Sequence, residues 1–169
     1  MSRPAPSGPA TAAPVLPAWH VRPAAPDEAA PVAAAVAELL RELGATPPPA
    51  PAMMAAARTL LDDPRAGTVL VAEADGVLVG VLAASWQVAL HVPGRYGLVQ
   101  DLWVRADWRG REIGAALLRA LYADAAALGI ARIEVGVPRD GFPGLEATRR
   151  FYERGGFAPV GARLRWERS

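Results

Sequence analysis

The sequence predicts a mixed α/β fold: a single domain with a largely antiparallel sheet, a parallel βαβ crossover and flanking helices. Three observations predict it. Apolar residues recur at helical spacing up to about residue 61, and from Gly67 the pattern changes to strand-like runs. Asp75-Gly76 between two apolar runs is a two-residue hairpin signal. Finally, a strand at Leu98 to Val104, a helix and a short strand at Ile133 to Val137 come in order, and two strands joined through a helix pair in parallel. At 169 residues the chain is long enough for one ordinary core.

Met1 to Pro17 is rich in Pro, Ala, Ser and Gly. It is expected to be a disordered segment (residues 1–17) ahead of a domain at 18–169. Its prolines interrupt any apolar core of a signal peptide. Trp19 to Arg22 reads as a short strand. Pro26-Asp27-Glu28 opens a helix whose apolar set is Val32, Val36, Leu39, Leu40 and Leu43, and Gly44 ends it. The Pro47 to Pro51 run forbids helix, so a second helix is expected over Met53 to Leu61. Strands are expected at Thr68 to Ala74 and at Val77 to Leu90, the latter apolar enough to be buried on both faces at its middle. His91 to Gly97 reads as a loop. The next helix buries Ile113, Leu117, Ala120, Leu121 and Leu128 and is capped by Gly129. After Ile133 to Val137 come a loop at Pro138 to Gly144, a helix at Leu145 to Arg154, and a last strand at Phe157 to Trp166.

Composition narrows the chemistry. A net charge of +1 with 21% charged residues gives no field that would draw nucleic acid or an anionic membrane. No apolar stretch is long enough to span a bilayer, so a cytoplasmic location is expected. Cysteine is absent, which excludes disulfides and thiolate nucleophiles. The two histidines, His20 and His91, stand far apart, and no metal is expected.

The chemistry concentrates in Val99 to Leu118. A strand runs through Arg105-Ala106-Asp107-Trp108 into Arg109-Gly110-Arg111-Glu112-Ile113-Gly114 and then directly into a helix. The first N–H groups of a helix have no partners within it and its dipole favours negative charge there, so such a loop is an anion cradle. Gly110 and Gly114 let backbone approach a diphosphate, and Arg109 and Arg111 would add charge-assisted donors.

This stretch resembles the GNAT acetyltransferases, the GCN5-related N-acetyltransferase superfamily. Their signature Gln/Arg-x-x-Gly-x-Gly/Ala is met by Arg109, Ile113 and Gly114, with Glu112 standing where the family usually has glycine. Downstream, Arg150-Phe151-Tyr152-Glu153-Arg154-Gly155-Gly156-Phe157 resembles the family's closing segment, and the two motifs together cover roughly the last half of the chain. The resemblance implies the acyl-CoA N-acyltransferase fold and acetyl-coenzyme A as co-substrate. Its pyrophosphate would lie on Arg109, Gly110, Arg111, Glu112, Ile113, Gly114 and Ala115, and its pantetheine arm along Leu102, Trp103 and Val104. It also implies Tyr152 as general acid for the departing thiolate. Leu145 stands where the family often carries an asparagine near the pantetheine.

For a general base, Asp101 is the carboxylate on the central strand. Strict alternation puts it on a face with Val99 and Trp103, opposite Gln100 and Leu102, and burial would raise its pKa. Glu134 and Glu73 are weaker candidates. The reaction implied is direct acetyl transfer to a primary amine of a small molecule or peptide. A non-catalytic acyl-coenzyme A binding or sensing domain on the same scaffold is the alternative. In the resembling fold the acceptor would enter between Gly44 to Ala52 and His91 to Gly97. No carboxylate cluster suited to a polycation stands there, which favours a small or carboxylate-bearing amine or a peptide N-terminus. A homodimer would pair or pack through Val77 to Leu90 and Phe157 to Trp166.

Overall fold

The computed structural model describes residues 18–161. Strand β1 (Trp19–Pro23) leads through one 3-10 turn at Pro26–Glu28 into α1 (Ala29–Glu42), and α2 (Ala50–Asp62) comes next. Then come β2 (Gly67–Ala74), β3 (Val77–Ala89) and β4 (Val92–Val104) as consecutive antiparallel strands. A second 3-10 turn, Ala106–Trp108, precedes α3 (Ile113–Ala127), and β5 (Ile133–Val135) and α4 (Leu145–Arg154) complete the described elements. The sheet order is β1-β2-β3-β4-β5, antiparallel throughout except for the parallel pair β4–β5.

The expected mixed fold and its parallel crossover are present, with boundary differences that have local causes. Helix α2 starts inside the proline run because Pro51 sits in its first turn, where a missing N–H costs nothing. The expected loop at His91 to Gly97 is instead the start of β4. Its Pro93-Gly94 pair is absorbed in an irregularity of register between Val88 and Ala89 on the partner strand. Leu128 is exposed rather than buried, because it lies just past the last turn of α3. Residues 157–161 form no strand, and the remainder of the expected last strand lies outside the described residues.

Helices cover both faces of the sheet. On one face Leu70, Leu82, Val99 and Trp108 pack with Ile113, Leu117, Leu118 and Leu121 of α3 and with Tyr152 of α4. On the other, Val69, Val71, Val81, Ala83 and Trp103 pack with Ala29, Val32 and Ala35 of α1 and Ala57 of α2. Strand β3 is fully buried through its middle, as expected of a strand covered on both sides. Arg22 of β1 ties the edge together: its guanidinium donates to Glu28 Oε2 at 2.7 Å and to Glu73 of β2. Glu73 is thereby engaged in the frame and is not a free base.

Two irregularities of β4 shape the centre of the molecule. Its parallel pairing with β5 covers only Gly97 to Val99, against Ile133 to Val135. Beyond Val99 the strand continues to Val104 with no β5 partner, so the sheet opens there. At the same point Ala83 pairs with Asp101 but Ala84 pairs with Val99, so Gln100 is the extra residue of a bulge.

Candidate active site

The opening of the sheet is filled on the α3 side by a cleft of about 860 Å³. Its floor is Leu102 to Val104 of β4, one wall is the loop Arg109 to Ala115, and the other is α4 with Phe151 and Tyr152. The expected site residues of β4, the loop and α4 therefore share one cavity, apart from Arg111 and Asp101, which do not line it.

The arginines of the loop are placed differently from the expectation. Arg109 donates from Nε to the Val104 carbonyl at 2.9 Å and from Nη2 to Glu42 Oε2 at 2.5 Å. The Arg111 guanidinium lies 4.5 Å from the Trp108 ring centroid and donates to the Asp107 carbonyl at 3.1 Å. Both hold the loop's shape. The backbone anion donors at the helix start are the N–H groups of Ile113, Gly114 and Ala115, ahead of the first helical bond, which Ala116 donates to the Glu112 carbonyl at 2.9 Å. No side chain caps α3, so its N-terminus stays available to an anion.

Glu112 has φ +62°, the left-handed region where a side chain is strained. Its exposed carboxylate also lines the cleft beside the uncapped start of α3. We expect Glu112→Gly to raise stability by up to about 1 kcal/mol. It should also tighten anion binding about threefold, the scale of a screened surface charge. Thermal melts with and without coenzyme A measure both, and unchanged values would assign Glu112 a role the backbone does not reveal.

Tyr152 is fixed by the end of its helix. Gly156, at φ +90°, turns the chain so that Phe157 N–H donates to the Tyr152 carbonyl at 3.0 Å and Gly156 N–H to the Glu153 carbonyl at 2.9 Å. The turn lays the Phe157 ring edge-on to Tyr152 at 5.3 Å, and the Phe151 ring meets it edge-on at 5.0 Å. The glycine pair and aromatics of the closing motif thus act as a clamp. Tyr122 of α3 steadies it by donating from its hydroxyl to the Gly155 carbonyl at 2.7 Å. Burial, followed by the charge of Asp101 and then Tyr122, pushes the Tyr152 phenol well above its usual value.

Asp101 does not share a face with both Val99 and Trp103. The bulge at Gln100 resets the alternation: Val99 faces α3, whereas Asp101, opposite Ala83, lies with Trp103 on the α1/α2 face. Burial raises its pKa, and its charge is felt at Tyr152. The two groups therefore approach from opposite faces where the sheet opens. Leu145 is buried at the start of α4 as a packing residue.

One contributor had no signal in the sequence. Glu42, at the end of α1, takes Arg109 on Oε2 and accepts Trp103 Nε1 on Oε1 at 3.2 Å, bringing α1 to the rim of the cleft. Nothing in the helical pattern of α1 marks Glu42 apart from its neighbour Glu38.

The model of the acetyltransferase (GNAT) family matches residues 36–157, which run from α1 through the cleft loop to the clamp on Tyr152. The chain belongs to the GNAT acetyltransferase family. It is 34% identical over 94 residues to an IAA acetyltransferase of Azospirillum brasilense, a match that covers 54% of this chain and 59% of that protein. The chain thus spans less than two thirds of that relative's length. Among solved structures, a ribosomal-protein-alanine N-acetyltransferase of Brucella melitensis biovar Abortus 2308 is 25% identical, with TM-score 0.69 over 90% of this chain and 100% of that one. A predicted acetyltransferase of Clostridium acetobutylicum, solved with acetyl-CoA, superposes with TM-score 0.73 over 89% of this chain and 96% of that one at 17% identity, a likeness of GNAT fold. Among the described residues no cluster of His, Cys, Asp and Glu is suited to a metal, and no helix is long and apolar enough to cross a membrane.

Proposed function

We propose that the protein is an acetyl-coenzyme A dependent N-acetyltransferase that moves the acetyl group directly to a primary amine, through the domain at 18–169. The observation that carries this reading is the opening of the sheet beyond Val99. There an uncapped helix N-terminus and Tyr152 line one cleft, and Asp101 reaches the opening from the other face. The cleft fits the co-substrate in kind: backbone donors at Ile113 to Ala115 for a diphosphate, and an apolar channel past Leu102, Val104 and Phe151 for the pantetheine arm. The solved neighbour that holds acetyl-CoA supports the same reading.

In this reaction Asp101, directly or through one water, takes the proton of the amine as its nitrogen bonds to the acetyl carbon. Tyr152 gives its phenolic proton to the sulfur as the carbon–sulfur bond breaks. A phenol held above its usual pKa is fully protonated at neutral pH. The same burial that holds it there also makes a bare thiolate costly, so the proton transfer is matched to the site. The proton gained at Asp101 balances the one lost from Tyr152, and exchange with solvent restores both.

The test is thiol release from acetyl-coenzyme A in the presence of primary amines, measured against pH. Burial raises the Asp101 pKa, so the base form, and with it the rate, appears only as pH rises above the ordinary aspartate value of about 4. The matching stability runs the other way. The raised folded-state pKa stabilises the fold fully below that ordinary value, and the contribution is lost as pH rises through the shifted one. Asp101→Asn should remove the aspartate's step from the acidic limb, leaving the one set by protonation of the amine itself, and lower the rate about 10²-fold, water remaining as a weaker base. Tight binding of acetyl-coenzyme A without thiol release for any amine would favour the non-catalytic binding domain instead.

A further inference from the structure

The α1/α2 face of β3 and β4 continues past the buried Ala83 into a polar strip to which acetyl transfer itself assigns no role. Ser85 and Gln87 of β3 alternate onto this face, away from Ala84 and Trp86, which are buried beneath α3. Gln87 Nε2 donates to Ser85 Oγ at 2.8 Å, and Gln100 Nε2 donates to the same oxygen at 2.8 Å. Gln100 is the bulge residue. In an unbroken strand it would point to the face opposite its neighbour Asp101, and the bulge lets it reach Ser85 on the Asp101 side. One hydroxyl thus fixes two carboxamides in a row that ends beside Asp101. Leu98 and Tyr96 lie across from Ser85 and Gln87, and Glu134 of β5 stands beside Leu98.

We propose that this row is the acceptor floor and that the acceptor is an α-amino amide, the first residue of a peptide chain; the proposal rests on the acetyl-transfer reading. Each carboxamide keeps one N–H and its carbonyl oxygen after bonding to Ser85, a donor and an acceptor that match a peptide group. With the amine nitrogen at Asp101, the first peptide group of an extended acceptor falls about 3.4 Å further along the strand direction, over Gln100. Between Asp101 and Gln87 the row offers amides and no carboxylate for a second ammonium of a polyamine, and an alkylamine would make no use of the two amides, which water then solvates.

The experiment compares acetylation of alanine amide and alanyl-alanine amide with that of isopropylamine and spermidine, by thiol release, in the native protein and in Gln100→Leu and Gln87→Leu. The expected result is a kcat/KM for the amides at least about tenfold above the other amines. Gln100→Leu should raise KM for the amides about tenfold, by a clearly larger factor than for isopropylamine, and change KM for the amides more than their kcat. The proposal is overturned if isopropylamine or spermidine reacts as well as the amides, or if Gln100→Leu shifts KM for all amines equally. Calorimetry with acetyl-coenzyme A separates the two levels. Binding with no acetylation of any amide overturns the acceptor class alone, whereas no binding removes the donor reading as well.

Discussion

Tyr152→Phe lowers kcat for acetyl transfer about 10²- to 10³-fold while the dissociation constant for acetyl-coenzyme A stays within about twofold, because only the proton donor is lost. The ring that Phe would keep is the part held by Phe151 and Phe157, so the clamp at the end of α4 survives the change. Thermal stability should not fall, since the contacts that hold Tyr152 among the described residues are those of its ring and backbone. Rate and affinity must therefore separate. Slow thiol release in Tyr152→Phe with native affinity and native melting identifies the residue as the acid. An unchanged rate would reduce Tyr152 to a core aromatic.

Gly114→Val is expected to weaken acetyl-coenzyme A binding at least about tenfold. A Cβ at this position would lie 3.1 Å from two carbons of the Phe151 ring, closer than side chains ordinarily sit. The added branches of valine have two ways out, into Phe151 or into the cleft, and either narrows the channel between α3 and α4. Overpacking of this kind costs about 1–3 kcal/mol, of which the bound state bears the larger part because the ligand fills the same space. Gly114→Ala, whose single methyl needs a shift of a few tenths of an ångström, should be much milder. Titration calorimetry of the three proteins tests the ordering. Equal affinities would mean that the ligand does not pass between Gly114 and Phe151.

The parts of this molecule that were legible in the sequence are those fixed by local rules. The Asp75-Gly76 hairpin, the helix at Leu145 to Arg154 and the buried stripe of α3 are each set by a few adjacent residues. The loop Arg109 to Gly114 and the closing segment Arg150 to Phe157 were marked by their glycines and aromatics, whereas the clamp they make around Tyr152 appears only in the ring contacts and the backbone turn at Gly156. The features that were not legible depend on residues far apart. The face of Asp101 turns on a bulge that only the register of β3 against β4 reveals. The roles of the loop arginines depend on Glu42, distant in the chain, and on the stacking of Arg111 over Trp108. Pro93 and Gly94 read as a loop because turn chemistry and a strand irregularity use the same residues.

We propose the start of α3 as a diphosphate cradle for acetyl-coenzyme A. Its most direct test is calorimetric titration of the protein with acetyl-coenzyme A and, in parallel, with S-acetylpantetheine, which has the thioester and the arm but no phosphate. Acetyl-coenzyme A binding at least about 100-fold more tightly is the predicted result, the difference being the charge-assisted bonds to the N–H groups of Ile113 to Ala115. Equal affinities, or no heat with either compound, would contradict it.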